Sequence, residues 1–450
     1  MQTRFPFRYG IAELTELPHL FVEGEVEIDG KRSAGIAADG LPPKWFTKNA
    51  GTRFDQDDLP SMQRVIRHAA EVAISMPAKP NAFAWWQELY ATQREWAREQ
   101  RIAPLLAGLG VSLMERVVID AVCREQSVSF WDAIRSGLLG LEVAGGVLPS
   151  RPLSQVFLRH TVGLSDSLTA DEIEANERVS DSLPHALEDC IDRDGLKYFK
   201  IKLSGQIAQD QQRLSQLAAL LRAKVGPEMR FTLDGNEQYA DIDSFQEAWL
   251  TLRSDPSIRQ LFDDALLFVE QPLHRDHALD PAVKDALANW NAAPPMIIDE
   301  SDATLDSLST ALDLGYGGTS HKNCKGIFKS IAAATKIRQN STPERPLILS
   351  AEDLANVGPV ALLQDLAVVA ALGIEHVERN GHHYFAGLSM HSTAIQQQMV
   401  EDHADLYQMT DQNFAALRPT AGRLRLDSVN QAAFGLSRLP DLSSYETWDF

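Results

Sequence analysis

The sequence predicts an α/β fold, a parallel βα barrel preceded by a smaller α+β unit. Three observations predict it. From about Leu153, short β-like runs alternate with helix-like segments, and the alternation repeats eight times, the number a closed barrel requires. No GxGxxG or GxxxxGKS turn follows the first run, so a doubly wound open sheet lacks its usual mark. Before Leu153 the chain carries no such repeat.

The elements follow in order. Phe21–Asp29 alternates apolar and polar residues up to Gly30 and resumes through Ala38, which reads as a hairpin. Leu41–Asp58, rich in Pro, Gly, Asn and Asp, reads as an extended loop. Helical patterns cover Ser61–Ile74, with Asp57, Asp58 and Ser61 as candidate caps, then Ala82–Arg101 and Ala103–Glu125. The expected barrel strands are Gln155–His160, Tyr198–Leu203, Arg230–Leu233, Leu266–Val269, Met296–Ile298, Gly318–His321, Leu347–Leu349 and Glu375–Val377. Between them lie helical patterns at Ala208–Lys224, Ile242–Leu252, Ala282–Trp290, Ser307–Leu314, Ile327–Gln339 and Val357–Leu372. This divides the chain into residues 1–150, an α+β unit, residues 151–430, the barrel, and a C-terminal segment, 431–450, expected to return to the first unit.

Composition narrows the function. A formal net charge of −20 argues against a nucleic-acid partner, which is held through basic patches. Cys123, Cys190 and Cys324 are far apart with no CxxC spacing, so neither a disulfide framework nor a zinc–thiolate motif is expected, and a reducing compartment is. Met1–Gly10 lacks an apolar signal core, and no apolar run approaches the roughly 20 residues that span a bilayer. A soluble cytoplasmic protein without a membrane partner is the expectation.

In a barrel the active site lies at the C-terminal ends of the strands. There the sequence places Lys200 and Lys202 after the second strand, Asp234 after the third, Glu270 after the fourth, Asp299 after the fifth and Lys322 after the sixth. One such charge alone reads best as a helix cap or a loop salt bridge, and a lone KxK as a solvated edge. Five consecutive strands ending in K, D, E, D and K read otherwise. Three carboxylates at one rim would repel each other unless a cation neutralised them. Oxygen donors alone suit a hard ion, so Asp234, Glu270 and Asp299 predict Mg²⁺ with open positions for a ligand bearing its own oxygens. Lys200 and Lys202, two apart on a strand, share a face. Neighbouring ammonium groups beside a divalent ion should lower each other's pKa towards a useful base. Lys322, four strands round the ring, is expected across the site from Lys202.

With these motifs the chain resembles the enolase superfamily, in the branch of muconate lactonising enzymes and mandelate racemases. The resemblance rests on Lys200-Ile201-Lys202, Asp234-Gly235-Asn236, Glu270-Gln271-Pro272, Asp299-Glu300-Ser301 and Lys322 in that order, and it covers most of the chain. It implies a (β/α)₇β TIM-like barrel with an N-terminal α+β capping domain. It implies Mg²⁺ on Asp234, Glu270 and Asp299, Lys202 as a base, and Lys200 holding a substrate carboxylate and tuning Lys202. The shared chemistry is removal of a proton α to a carboxylate, through an enolate. Two departures stand out. The seventh strand leads into Ser350-Ala351-Glu352-Asp353 without a histidine, which favours the branch with lysines on both sides. A single Gly326 follows Asn323-Cys324-Lys325, where a double glycine is common, and this leaves Lys325 as a rival to Lys322.

The expected function is a Mg²⁺-dependent lyase or isomerase acting on a small carboxylate such as an acid sugar, hydroxy acid or amino-acid derivative. Racemisation or epimerisation, cycloisomerisation and elimination stay open, as does a non-catalytic barrel that binds a metal or partner. That barrel and a metal-dependent hydrolase, for which no His ends a proposed ligand strand, both rank well below the enolising reading. Glu300, Asn236, His160, His382 and His383 are secondary candidates. For the histidines, packing is the preferred reading, and adjacent His382 and His383 do not make a helical zinc pair. Trp85, Trp86 and Trp96 read as capping-domain core or interface. Loops Glu13–His19 and Leu41–Gly51 are the candidate specificity loops, and a homo-oligomer is expected from the apolar capping helices.

Overall fold

The computed structural model describes residues 1–448; the last two residues of the expected C-terminal segment lie outside them. The chain opens with an antiparallel pair, β1 (Gln2–Tyr9) and β2 (Ala12–Glu16), that the sequence reading did not predict. Phe5, Phe7 and Tyr9 alternate along β1 and are its inward positions. The expected hairpin follows as β3 (His19–Ile28) and β4 (Lys31–Gly40). Its two-residue turn, Asp29-Gly30, has φ of 51° and 79°, both in the left-handed region that a type I′ turn requires.

Helices α1 (Leu59–Ser75), α2 (Ala82–Glu99), α3 (Pro104–Glu125) and α4 (Phe130–Arg135) complete the N-terminal region. The caps expected for α1 do not form. Asp58 makes no capping bond; it accepts instead from the Thr52 hydroxyl at 2.7 Å and pairs with Lys44 at 3.1 Å. A preformed turn over Phe54–Asp58 supplies the start. Asn81 does cap α2, accepting from the Ala84 N–H at 2.8 Å. Helix α3 is apolar on nearly every face and is buried accordingly. It lies so close to β4 that a Cβ at Gly35 would collide with the Val117 carbonyl.

The second region delivers all eight expected strands, displaced by at most three residues. They are β5 (Gln155–Val162), β6 (Tyr198–Lys202), β7 (Arg230–Asp234), β8 (Leu266–Glu270), β9 (Met296–Ile298), β10 (Gly318–His321), β11 (Ile348–Ala351) and β12 (His376–Arg379). Their helices are α5 (Leu187–Asp194), α6 (Ile207–Lys224), α7 (Ile242–Ser254), α8 (Pro256–Ala265), α9 (Ala282–Asn289), α10 (Ser307–Leu314), α11 (Ile327–Asn340) and α12 (Ala361–Leu372). Of these, α5 and α8 were unexpected. Helix α8 is set off from α7 by Asp255, whose carboxylate accepts from the Ser257 N–H at 2.7 Å.

The ladder runs in the order β11-β10-β9-β8-β7-β6-β5-β12, all parallel. The eight parallel strands form a curled half-barrel, and a ninth strand, Arg423–Arg425, joins the same sheet antiparallel to β5. Where full closure was expected, the described residues carry no backbone ladder between β11 and β12. The physical reason is local. Backbone groups at that seam bond to side chains instead: the Asp353 N–H donates to Glu378 at 3.0 Å, the Asn380 N–H to Asp353 at 2.8 Å, and the Ala355 N–H to the Asn380 amide oxygen at 3.1 Å.

After β12 comes the short helix α13 (Gly381–Tyr384). Further on, the Arg124 guanidinium of α3 donates to the Leu436 and Ser437 carbonyls at 3.1 and 3.2 Å, and Phe434 packs on Phe130. Among the described residues no helix is long and apolar enough to cross a membrane.

Candidate active site

Parallel register builds the site. Lys202 of β6 pairs with Asp234 of β7, and Asp234 with Glu270 of β8, so these three residues form one row across adjacent strand ends. Asp299 lies one residue beyond β9, and Lys322 one residue beyond β10. All six candidates, Lys200, Lys202, Asp234, Glu270, Asp299 and Lys322, are buried.

Lys200 and Lys202 do share a face. The Lys202 ammonium donates to Asp234 at 2.6 Å, and Lys200 stands 3.0 Å from the same carboxylate oxygen. Lys200 also donates to Glu270, Glu352 and Glu378, each at 2.9 Å. On the other side Lys322 donates to Asp299 at 2.6 Å. Its ammonium lies 4.5 Å from the centre of the Trp45 ring, within cation–π range. Lys325 also reaches Asp299, at 2.8 Å, and is otherwise held by the Ser320 carbonyl and hydroxyl. Lys322 lines the cavity and Lys325 does not.

That cavity lies between the strand ends and the N-terminal region. Lys200, Lys202, Asp234, Asp299 and Lys322 line its barrel side; Phe7, Tyr9, Leu14 and Trp45 line the other. Trp45 comes from the second loop expected to set specificity; Leu14 falls in the first expected loop, Glu13–His19, which the structure shows to begin as strand β2. Arg275 fixes the second loop, donating to the Trp45 and Phe46 carbonyls at 2.9 and 3.0 Å while it pairs with Glu237 at 2.7 Å.

Electrostatics depart from expectation at the lysines. Burial pulls the Lys200 ammonium down, but Asp234, Glu270, Glu352 and Glu378 outweigh it and hold the group well above the ordinary lysine range. Lys322 is likewise raised, burial being overcome mainly by Asp299. At Lys200 and Lys322 the surrounding carboxylates outweigh what lowers the ammonium. The acids divide. Glu270 is pushed well above its ordinary range by burial and by Asp234 and Glu352. Glu300 is buried and rises to about 7 through burial and the nearby Asp299. Asp299 falls well below the carboxylate range, because Lys322 and Lys325 overcome its burial.

Of the secondary candidates, Glu300 and Asn236 line the cavity. Asn236 is also a turn former, with φ 43°. His160 and His383 are buried away from this cavity. The tryptophans are packing residues: Trp86 lies against Phe328 of α11, and Trp96 stacks on His68. Three residues escaped the sequence reading. Glu352 and Glu378, at the exits of β11 and β12, complete the ring around Lys200. Gln271 accepts from the Asp299 N–H at 2.8 Å and the Ser301 N–H at 3.1 Å, fixing the exit of β9. The available signal was an acid ending each of the last two strands.

No protein-family model and no curated protein sequence matches the chain. Solved structures do. An N-succinyl Arg/Lys racemase from Bacillus cereus superposes with a TM-score of 0.57 at 15% identity, over 95% of this chain and 94% of that one. A mandelate racemase/muconate lactonizing enzyme from Bordetella bronchiseptica gives 0.54 at 14% identity over 98% of both chains. An enolase from Bradyrhizobium, complexed with magnesium and mandelic acid, gives 0.54 at 15% identity over 95% and 94%. The architecture built here from its strand row and its N-terminal cover is thus the one found in mandelate racemase/muconate lactonizing enzyme-like members of the enolase superfamily.

Proposed function

We propose that the chain is a Mg²⁺-dependent lyase or isomerase that abstracts a proton α to a carboxylate of a small acid. The observation that carries this reading is the pair of buried lysines, Lys202 and Lys322, lining one cavity with carboxylates between them. The reading divides the chain into a capping domain over residues 1–150, a barrel over 151–430 that closes at the β11–β12 seam, and a returning tail.

The residues fit a hard divalent ion in their chemistry. Asp234, Glu270 and Asp299 offer oxygen alone. Glu270 and Glu300 are both raised, first by burial and then by neighbouring carboxylates, and a bound cation would relieve that repulsion. Lys200 stands between Asp234 and Glu270, so an ion shared by those two acids would take over its partners. A bound Mg²⁺ would supply positive charge where the substrate's carboxylate gains enolate character.

The chain's own residues would do the rest. Lys202 takes the α-proton at its Nζ, which requires its ammonium to lose a proton and its bond to Asp234. Lys322, held by Asp299 and covered by Trp45, returns a proton or stabilises charge on the opposite face. Lys200, released from its acids, orients the substrate carboxylate. Trp45, Tyr9 and Phe7 exclude water from above. The Bacillus neighbour named as an N-succinyl Arg/Lys racemase supports including N-acyl amino acids among the substrates to be tried.

A non-catalytic barrel is the second reading, favoured by one observation: four carboxylates already satisfy Lys200. Deuterium exchange separates the two. Pooled acid sugars, hydroxy acids and N-acyl amino acids are incubated in D₂O with Mg²⁺ and read by mass spectrometry. The enolising reading expects Mg²⁺-dependent α-exchange, of which Lys202→Ala abolishes that from one enantiomer. Exchange of both enantiomers persisting in Lys202→Ala would remove that lysine from the chemistry.

A further inference from the structure

A second cluster of ligating side chains lies where the first barrel strand meets the exit of the eighth. His160 of β5, Cys190 of α5 and His383 of α13 are all buried, and none of them lines the lysine cavity. One ligating atom from each lies within 4.8 Å of the other two; among the described residues no other group of three His, Cys, Asp or Glu side chains meets that spacing. Cys190 Sγ is 3.7 Å from His383 Nδ1. Nearby, His160 Nδ1 is 3.2 Å from His382 Nε2. Ligand atoms on one tetrahedral zinc ion, with bonds of about 2.0–2.3 Å, stand roughly 3.3–3.7 Å apart.

Two further features point to a ligand. His160 Nε2, the ring nitrogen opposite its His382 contact, has no hydrogen-bond partner, a costly state for a buried polar atom. Behind His383, its Nε2 lies 3.7 Å from Asp166, whose carboxylate is oriented by the Tyr384 hydroxyl at 2.6 Å and the Gly163 N–H at 2.7 Å. A carboxylate behind a ligating imidazole is the usual outer support of a metal-bound histidine.

We propose that His160, Cys190 and His383 form a binding site for a borderline-soft divalent ion, Zn²⁺ foremost. Nitrogen and sulfur donors suit Zn²⁺ and disfavour Mg²⁺, so this site is chemically distinct from the carboxylate rim. Burial holds His160 and His383 well below the ordinary histidine range, which keeps both imidazoles neutral with a lone pair to give. Burial also holds the Cys190 thiol up. Binding therefore forms the metal–sulfur bond as the thiol releases one proton to solvent. The ion would tie β5 and α5 to the exit of β12, next to the seam where no backbone ladder forms. The sequence predicts neither a zinc–thiolate motif nor a zinc pair within one helix, whereas here the ligands come from three separate elements.

The test uses the full chain. Purified protein is stripped with chelator, titrated with Co²⁺ and then Zn²⁺, and read by absorption and by elemental analysis. One Co²⁺ per chain with a thiolate-to-metal charge-transfer band and tetrahedral visible bands, displaced by Zn²⁺ and lost in Cys190→Ser, supports the site. Retention of the charge-transfer band in Cys190→Ser, or no stoichiometric binding by folded wild-type protein, overturns it. If Cys190→Ser does not fold, X-ray absorption at the zinc edge of the wild-type protein decides. A sulfur neighbour at about 2.3 Å supports the site, and a shell of nitrogen and oxygen alone overturns it.

Discussion

At Lys200 a single ammonium group answers four carboxylates, those of Asp234, Glu270, Glu352 and Glu378. Such a buried network holds only while every member keeps a partner, since a stranded buried charge is costly. Glu352 is its most strongly tied acid: burial pushes its carboxyl up, but Arg159 and Lys200 outweigh this and bring it to about 2, against 4.5 ordinarily. Because the folded value is the lower one, the unfolded chain takes up the proton first as the solution is acidified. The stabilisation from Glu352 is therefore complete above pH 4.5 and is lost progressively as pH falls towards about 2. Urea midpoints followed across that window should decline more steeply for the wild type than for Glu352→Gln. Equal slopes would mean that Glu352 is not held low in the folded protein.

Among the elements, those fixed by strong local pattern were legible and those fixed by neighbours were not. The Asp29-Gly30 hairpin and the long helices α1 to α3 announce themselves through turn chemistry and periodicity. Strand β1 does not, because Pro6 stands inside its alternation and cannot donate to a ladder, and it is recognisable only once Phe5 and Phe7 are seen against His383 and Tyr384. Helix α8 merges in sequence with α7. The acid-and-lysine row was legible because parallel register turns strand ends into one rim. Glu352 and Glu378 were passed over because an acid at a strand exit is ordinary until its partner is known. Gly35 offers a test at this scale. With the Val117 carbonyl against its Cα, Gly35→Ala must push β4 away from α3. A loss of about 1–3 kcal/mol, the usual range for overpacking, is expected in urea unfolding. An unchanged midpoint would show that the two elements are less tightly apposed than described.

Across the whole molecule, the N-terminal region supplies one wall of the cavity and the parallel half-barrel the other. Trp45 over Lys322 and the Arg275 bonds to the Trp45 loop couple them. Removing that anchor with Arg275→Ala should raise KM for whatever substrate the exchange screen finds, while Mg²⁺ affinity by calorimetry stays within a few-fold of wild type. An equal loss of both would place Arg275 in the metal shell's support. The central claim is that two lysines address opposite faces of one carbon, and its most direct measurement is α-proton exchange of each separate enantiomer of an exchanging compound, in D₂O, with Lys202→Ala and Lys322→Ala proteins. The account predicts that each variant loses exchange from one enantiomer and keeps it from the other, in opposite senses. Exchange of both enantiomers surviving in both variants would contradict it.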